Sequence, residues 1–291
     1  MMPGASPLPA AIDRDALEAF LASELDFAFR RRLRWLLEAL DLRPSLRLLD
    51  LGCGPGVLLR ALDASAPRVR AAGLDEGIER LREARAAPTP FPLLRGDAQA
   101  LPFRDASFER VLAAEVLEHL PDDAAALAEI RRVLAPGGLL ALSVPHESYP
   151  FLWDPINRVW TALGGAPLRT GPLVGIWTGH ERLYRPEDLA ERVASAGLEV
   201  LRVEEATHHS IPFAHFLLYG VGRGLVESGL LPDRLRRRLG RLPSVPRAGR
   251  GFDPFAPLRA LLAAVDRRND TEAVREKTTF VNVLLLARRP L

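Results

Sequence analysis

The sequence predicts an α/β fold: a doubly wound, mostly parallel sheet with helices on both faces. Three observations carry that expectation. Short apolar runs alternate with helical patterns from about residue 46 to residue 206, as parallel strands joined by helical crossovers require. Three glycines, Gly52, Gly54 and Gly56, directly follow the first run. Acidic residues close the first three runs, at Asp50, Asp75 and Asp97, the end of such a sheet where ligands bind.

The elements follow in order. Residues 1–11 carry no periodic pattern. From Ile12 to Leu40 apolar residues recur at helical spacing, which predicts two helices broken near Asp26 and ended by Pro44. "LRLLDL" is a short buried strand and "GVLLRALDAS" a helix; "VRAAGLD" and "EGIERLREARAA" repeat the pair. "FPLLRGD" is the third strand and "FERVLAAEV" the fourth. "DDAAALAEIRRVLAPGG" reads as a helix stopped by Pro136 and two glycines, followed by the strand "LLALSVP". "RPEDLAERVASAGLEVLRVEEA" supplies another helix and the sixth strand, and "TTFVNVLLLARR" the last. About 70 residues between the sixth strand and the last are surplus to this pattern. The expected organisation is a helical segment at 1–43, the core at 44–205, a helical insertion at 206–276 and the final core strand at 277–291.

Composition excludes several classes. A net charge of +2 gives no global field to attract nucleic acid. Cys53 is the only cysteine, so neither an internal disulfide nor a cysteine-based structural zinc site can form. No apolar run reaches the length of about 18 residues that a membrane-spanning helix needs. "MMPGASPLPA" lacks the basic and apolar regions of a signal peptide, so the expected location is cytoplasmic.

The glycine loop and its acids narrow the ligand. Backbone N–H groups of the loop and of the next helix would receive a polar group. Asp75, 19 residues past Gly56, stands where an acid accepts hydrogen bonds from ribose hydroxyls. A dinucleotide fingerprint would need glycine at position 57, which is Val57. Asp50, just before the loop, would repel a pyrophosphate. Asp97 could take the amine of an adenine. Acids at three neighbouring strand ends suit S-adenosylmethionine, which is cationic and carries no phosphate.

Five segments in order, "LLDLGCGPG", "GLD", "GDAQALPF", "EVLEHLPD" and "VLAPGGLLALSVP", resemble the class I S-adenosylmethionine-dependent methyltransferases. The resemblance is to the type 11 group, which includes ubiquinone and menaquinone biosynthesis methyltransferases. It covers about residues 46–145, with a looser echo at "GHERLYRPEDLAERVASAGLEV". It implies a Rossmann-like doubly wound sheet of seven strands in the order 3-2-1-4-5-7-6, last strand antiparallel, with added helices. It also implies a cofactor site: Asp50, Gly52, Cys53, Gly54 and Gly56 around the methionine end, Asp75 at the ribose, Asp97 and Ala98 at the adenine, and Glu115 ending the fourth strand nearby. Cys53 reads as a small packing residue rather than a nucleophile.

Methyl transfer from a sulfonium needs positioning and desolvation more than a catalytic side chain. An unactivated nucleophile also needs a base, and His146, after the fifth strand, is the first candidate, His180 the second. Aromatic residues between them, Tyr149, Phe151, Trp153, Trp160 and Trp177, would form an apolar lid or pack beneath a long loop. Glu115, Glu118 and His119 have i, i+3, i+4 spacing and on a helix would share a face able to hold a divalent cation. The resemblance points both ways: some family members that methylate hydroxyls hold a metal with such a group, type 11 members often carry the same letters without one, and none is expected here.

The insertion is unusual. In "IPFAHFLLYGVGRGLVESGLL" only His215, Tyr219, Arg223 and Glu227 form a polar stripe, and Arg234 to Arg250 adds an arginine cluster. Apolar helices beside arginines would suit a peripheral membrane contact through 211–265, a tunnel for a prenylated or acyl substrate, or a cap packed on the sheet. His208 and His209 receive no role. The resulting expectation is a methyltransferase acting at oxygen or carbon of a small or lipid-like hydrophobic acceptor. An RNA methyltransferase, a cofactor-binding module without catalysis and a nicotinamide oxidoreductase are the alternatives.

Overall fold

The computed structural model describes residues 12–22, 24, 26–87, 89–169, 175–209 and 256–291, except the side chains of Ala256 and Leu258. Two helices open the chain, α1 (Arg14–Leu21) and α2 (Phe27–Ala39). Each is started by an aspartate: Asp13 accepts from Ala16 N and Asp26 from Phe29 N, which meets amides that have no partner within the helix. The break near Asp26 is therefore a cap.

The core then runs β1 (Arg47–Leu51), α3 (Val57–Ser65), β2 (Arg70–Asp75), α4 (Ile78–Ala86), β3 (Leu93–Arg95), β4 (Phe108–Ala114), α5 (Asp123–Val133), β5 (Leu134–Pro145), α6 (Pro155–Ala162), α7 (Pro186–Ser195), β6 (Glu199–Ala206), α8 (Ala256–Asp266) and β7 (Asn282–Arg288). The seven strands form one sheet in the order β3-β2-β1-β4-β5-β7-β6. The pairs through β5 are parallel, and β7 is antiparallel to both its neighbours. This is the order the family resemblance implied.

Alternation along the central strands sorts the core into two layers. Leu49, Val111, Leu140 and Leu142 pack with Leu127 and Ile130 of α5 and Leu189 of α7. Leu48, Leu112 and Ala141 face the other way, onto Leu33, Leu36 and Leu37 of α2 and Leu59 and Leu62 of α3. A smaller apolar cluster of Ala28, Tyr149, Trp153, Ile176 and Val281, with Trp177 and Leu183 against it, joins α2 to the segments after β5. Tyr149 and Trp153 are thus buried packing, whereas Phe151 and Trp160 are exposed.

One boundary differs from expectation. The helix read as running to Pro136 ends at Val133, and Leu134 already pairs with Phe108 in the sheet. Proline disfavours helix in the residue before it, so the helix stops early. Gly137, at φ +75°, and Gly138, where a Cβ would lie 2.8 Å from the Ala135 oxygen, then let the strand bend without being a helix stop.

Arg31 of α2 binds Asp266 at the end of α8 and Asp270 just beyond it, so the opening helices and the returning end of the insertion meet. The segments assigned to an apolar helix and an arginine cluster, with His215, lie outside the described residues. No helix among the described residues is long and apolar enough to cross a membrane.

Candidate functional site

The carboxyl ends of β1, β2 and β4 and the loops after them build the site. The glycine loop crosses between β1 and α3, with Gly52 N and Cys53 N donating to the Leu74 oxygen of β2. Gly52, Gly54 and Gly56 all have positive φ, +69°, +51° and +73°, which side chains resist. Their surroundings differ. A Cβ on Gly52 would lie 2.5 Å from Cγ2 of Val116, whereas one on Gly54 would meet nothing within 4 Å. Gly52 is fixed by protein packing; Gly54 borders open space.

Asp50 is fully buried, and neither carboxylate oxygen has a hydrogen-bond partner. Burial, reinforced by the Asp75 charge, pushes its pKa up to about 8. A carboxyl group placed this way lacks a cation or donors. The ammonium of an amino-acid ligand supplies both, so the residues fit S-adenosylmethionine. Asp75 is already engaged: its Oδ2 accepts from Gly54 N at 2.9 Å and its Oδ1 from Gly77 N at 2.7 Å. It holds the glycine loop in place, and each of its oxygens keeps a further lone pair. Burial, with Asp50 and Asp75 close by, pushes the Cys53 thiol up, so it stays protonated and packs. The third strand ends at Arg95, before Asp97. Asp97 is exposed and accepts from Gln99 N at 2.8 Å; Ala98 beside it is buried.

Glu115 and His119 part company. Glu115 has φ +54°, and only a short 3-10 turn, Leu117–His119, follows. The shared helical face expected for Glu115, Glu118 and His119 therefore does not form. Glu115 turns to Ser143 Oγ at 2.9 Å and Asn282 Nδ2 at 3.2 Å, and Arg32 of α2 lies 3.4 Å from its other oxygen. No sequence pattern points to Arg32, Ser143 or Asn282, which come from three distant segments with no motif to join them. Glu118 instead meets His119 and His180.

The two candidate bases have different settings. His146 is buried, its Nδ1 accepting from Ser148 N at 2.7 Å and its Nε2 donating to Glu205 at 2.8 Å. Burial pushes its pKa down against the pull of Glu205. Both ring nitrogens are thereby committed to the protein. His180 lies in the segment that returns over the β4 end, its ring 4.7 Å from that of His119. His208 and His209 are tied to Asn269 through their backbones.

Comparison with known proteins agrees with this geometry. Residues 49–142 match a family model described as a methyltransferase domain. The chain is 38% identical over 186 residues to a demethylmenaquinone methyltransferase from Thermus thermophilus, covering 60% of this chain and 84% of that one. It is 36% identical over 117 residues to a trans-aconitate 2-methyltransferase from Azoarcus, covering 40% and 46%. In several of its relatives the match spans less than half of the relative's length. A solved structure of a sarcosine dimethylglycine methyltransferase homologue from Galdieria sulphuraria superposes with a TM-score of 0.53 at 16% identity, covering 89% and 86%, which speaks to the fold alone.

Proposed function

The chain belongs to the type 11 group of class I S-adenosylmethionine-dependent methyltransferases, and from that premise we propose that it methylates oxygen or carbon of a small or lipid-like hydrophobic acceptor. One observation carries the cofactor half of this reading: Asp50, buried with two unpartnered oxygens behind a glycine loop that opens at Gly54. When bound, S-adenosylmethionine supplies a methyl group on a sulfonium, ready for in-line displacement. The chain's own residues do the rest. Asp50 holds the cationic amino-acid end, Asp75 takes the ribose while anchoring Gly54, and Asp97 with Ala98 borders the adenine.

We assign the rate enhancement to orientation and exclusion of water, since His146 spends both nitrogens inside the protein. The exposed apolar side chains of Phe151, Leu152 and Trp160, in the segment after β5, support a hydrophobic acceptor. The names of two relatives, a demethylmenaquinone methyltransferase and a trans-aconitate 2-methyltransferase, support a small-molecule acceptor.

The test is mass spectrometry after incubation with methyl-labelled S-adenosylmethionine and, in parallel, lipid, polar and RNA extracts. Label on a nonpolar small molecule is the expected result. Label in RNA alone would overturn the acceptor class. Tight S-adenosylhomocysteine binding with no labelled product in any extract would make the chain a cofactor-binding module.

A further inference from the structure

Outside the cofactor carboxylates, a second buried carboxylate lacks partners. Glu118 is fully buried, and neither of its oxygens accepts a hydrogen bond. Its Oε1 lies 4.0 Å from Nε2 of His119 and 4.0 Å from Nε2 of His180. One donor atom from each of the three residues falls within 4.8 Å of the others. His119 Nδ1 sits 2.9 Å from the carbonyl oxygen of Gly179. A carbonyl only accepts, so Nδ1 carries the proton, and Nε2 is the ring nitrogen on the Glu118 side. A backbone carbonyl fixing the tautomer in this way is a recurrent support for metal-binding histidines.

The frame is rigid. Arg182 donates to the carbonyls of Leu117, Leu120 and Pro121, and Glu181 N donates to the backbone carbonyl of Glu118 at 2.7 Å. These bonds fasten the His180 segment onto the turn that carries Glu118 and His119. Arg32, whose charge also acts on Glu118, makes its ion pair with Glu115.

We propose that Glu118, His119 and His180 bind one first-row divalent cation of the zinc class. Two imidazole nitrogens and one carboxylate suit that class and are poor for Mg²⁺ or Ca²⁺. Ligands about 2.0–2.1 Å from a tetrahedral ion stand about 3.4 Å apart, so small side-chain rotations close the present spacing. Three protein ligands leave a position for water or an acceptor oxygen. That last role rests on the transfer proposed above; ion binding does not.

The test uses the full chain, stripped with a chelator and dialysed. Calorimetric titration with ZnCl₂ should give one ion per chain, confirmed by elemental analysis, and Co²⁺ should develop visible absorption on binding. His119→Ala and His180→Ala should each weaken Zn²⁺ at least tenfold and leave S-adenosylhomocysteine affinity within twofold. If an alanine variant fails to fold, His119→Gln at the more exposed ring reads the same affinity. No stoichiometric Zn²⁺, unchanged affinity in the variants, or equal affinity for Mg²⁺ would overturn the proposal. No S-adenosylhomocysteine binding by the wild type, before or after stripping, would instead count against the cofactor reading.

Discussion

Asp50 and Glu118 share one condition and differ in company. Each is a fully buried carboxylate with no hydrogen bond to either oxygen, and burial pushes both pKa values up. Around Asp50 the protein offers a second carboxylate, Asp75, and a backbone loop with open space at Gly54. Around Glu118 it offers another carboxylate, Glu115, and two imidazoles. A buried charge left without donors is costly, so each arrangement specifies what would relieve it. Beside an open loop, an organic cation can enter. Between two ring nitrogens, the space is that of a single ion. The same electrostatic deficit thus marks two kinds of site, told apart by neighbours rather than by the carboxylate.

The contrast can be broken most forcefully at the glycine loop. Gly52→Ala places a methyl against Val116 at a positive φ and should destabilise the chain by about 3 kcal/mol, from overpacking and backbone strain together. Gly54→Ala meets no atom, and strain alone should cost about 1 kcal/mol. Chemical denaturation of the two variants measures the gap; equal losses would mean the loop is not packed as described.

Next comes Asp50 itself. Asp50→Asn should weaken S-adenosylmethionine binding by about 1.5–3 kcal/mol, the scale of a hydrogen bond to a charged group, measured by calorimetry. The pH dependence of stability should change as well. Because the Asp50 pKa rises to about 8, from an unfolded value of about 4, the native chain holds a proton that the unfolded chain releases between those values. Its contribution is fully present below the lower value and is lost as pH rises through the upper one. The ligand-free melting temperature should therefore fall from pH 6 to pH 9, and Asp50→Asn should flatten that fall. An unaltered slope would remove Asp50 from the account.

The smallest effect belongs to the frame of the second site. Arg182→Ala removes three bonds to carbonyls and should cost about 1–2 kcal/mol of stability. It should weaken Zn²⁺ while sparing the cofactor. If cofactor affinity drops in parallel with Zn²⁺, the two sites are not separate.

How much of this was legible differs between the sites for a physical reason. The cofactor cradle is local: a strand, a tight turn and a helix start must be contiguous, so "LLDLGCGPG" states it outright. Even so, the letters do not say that Gly52 answers to Val116 and Gly54 to open space. Around Glu118 the letters misled. The i, i+3, i+4 spacing suggested Glu115 as a partner, yet its left-handed backbone turns it toward Ser143, Asn282 and Arg32. His146 looked well placed for a base until packing gave both its nitrogens partners.

By itself the sequence determined the alternation of strands and helices, the break near Asp26 and the glycine loop with its acids. These follow from periodicity and backbone sterics within a few residues. Its motifs, through family resemblance, also pointed to the strand order. Only the tertiary structure decided which side chains from distant segments converge. It set Gly179 against His119, 60 positions apart, and Arg32 against Glu115. Such contacts depend on how the loops beyond the sheet return over it, which no local pattern encodes.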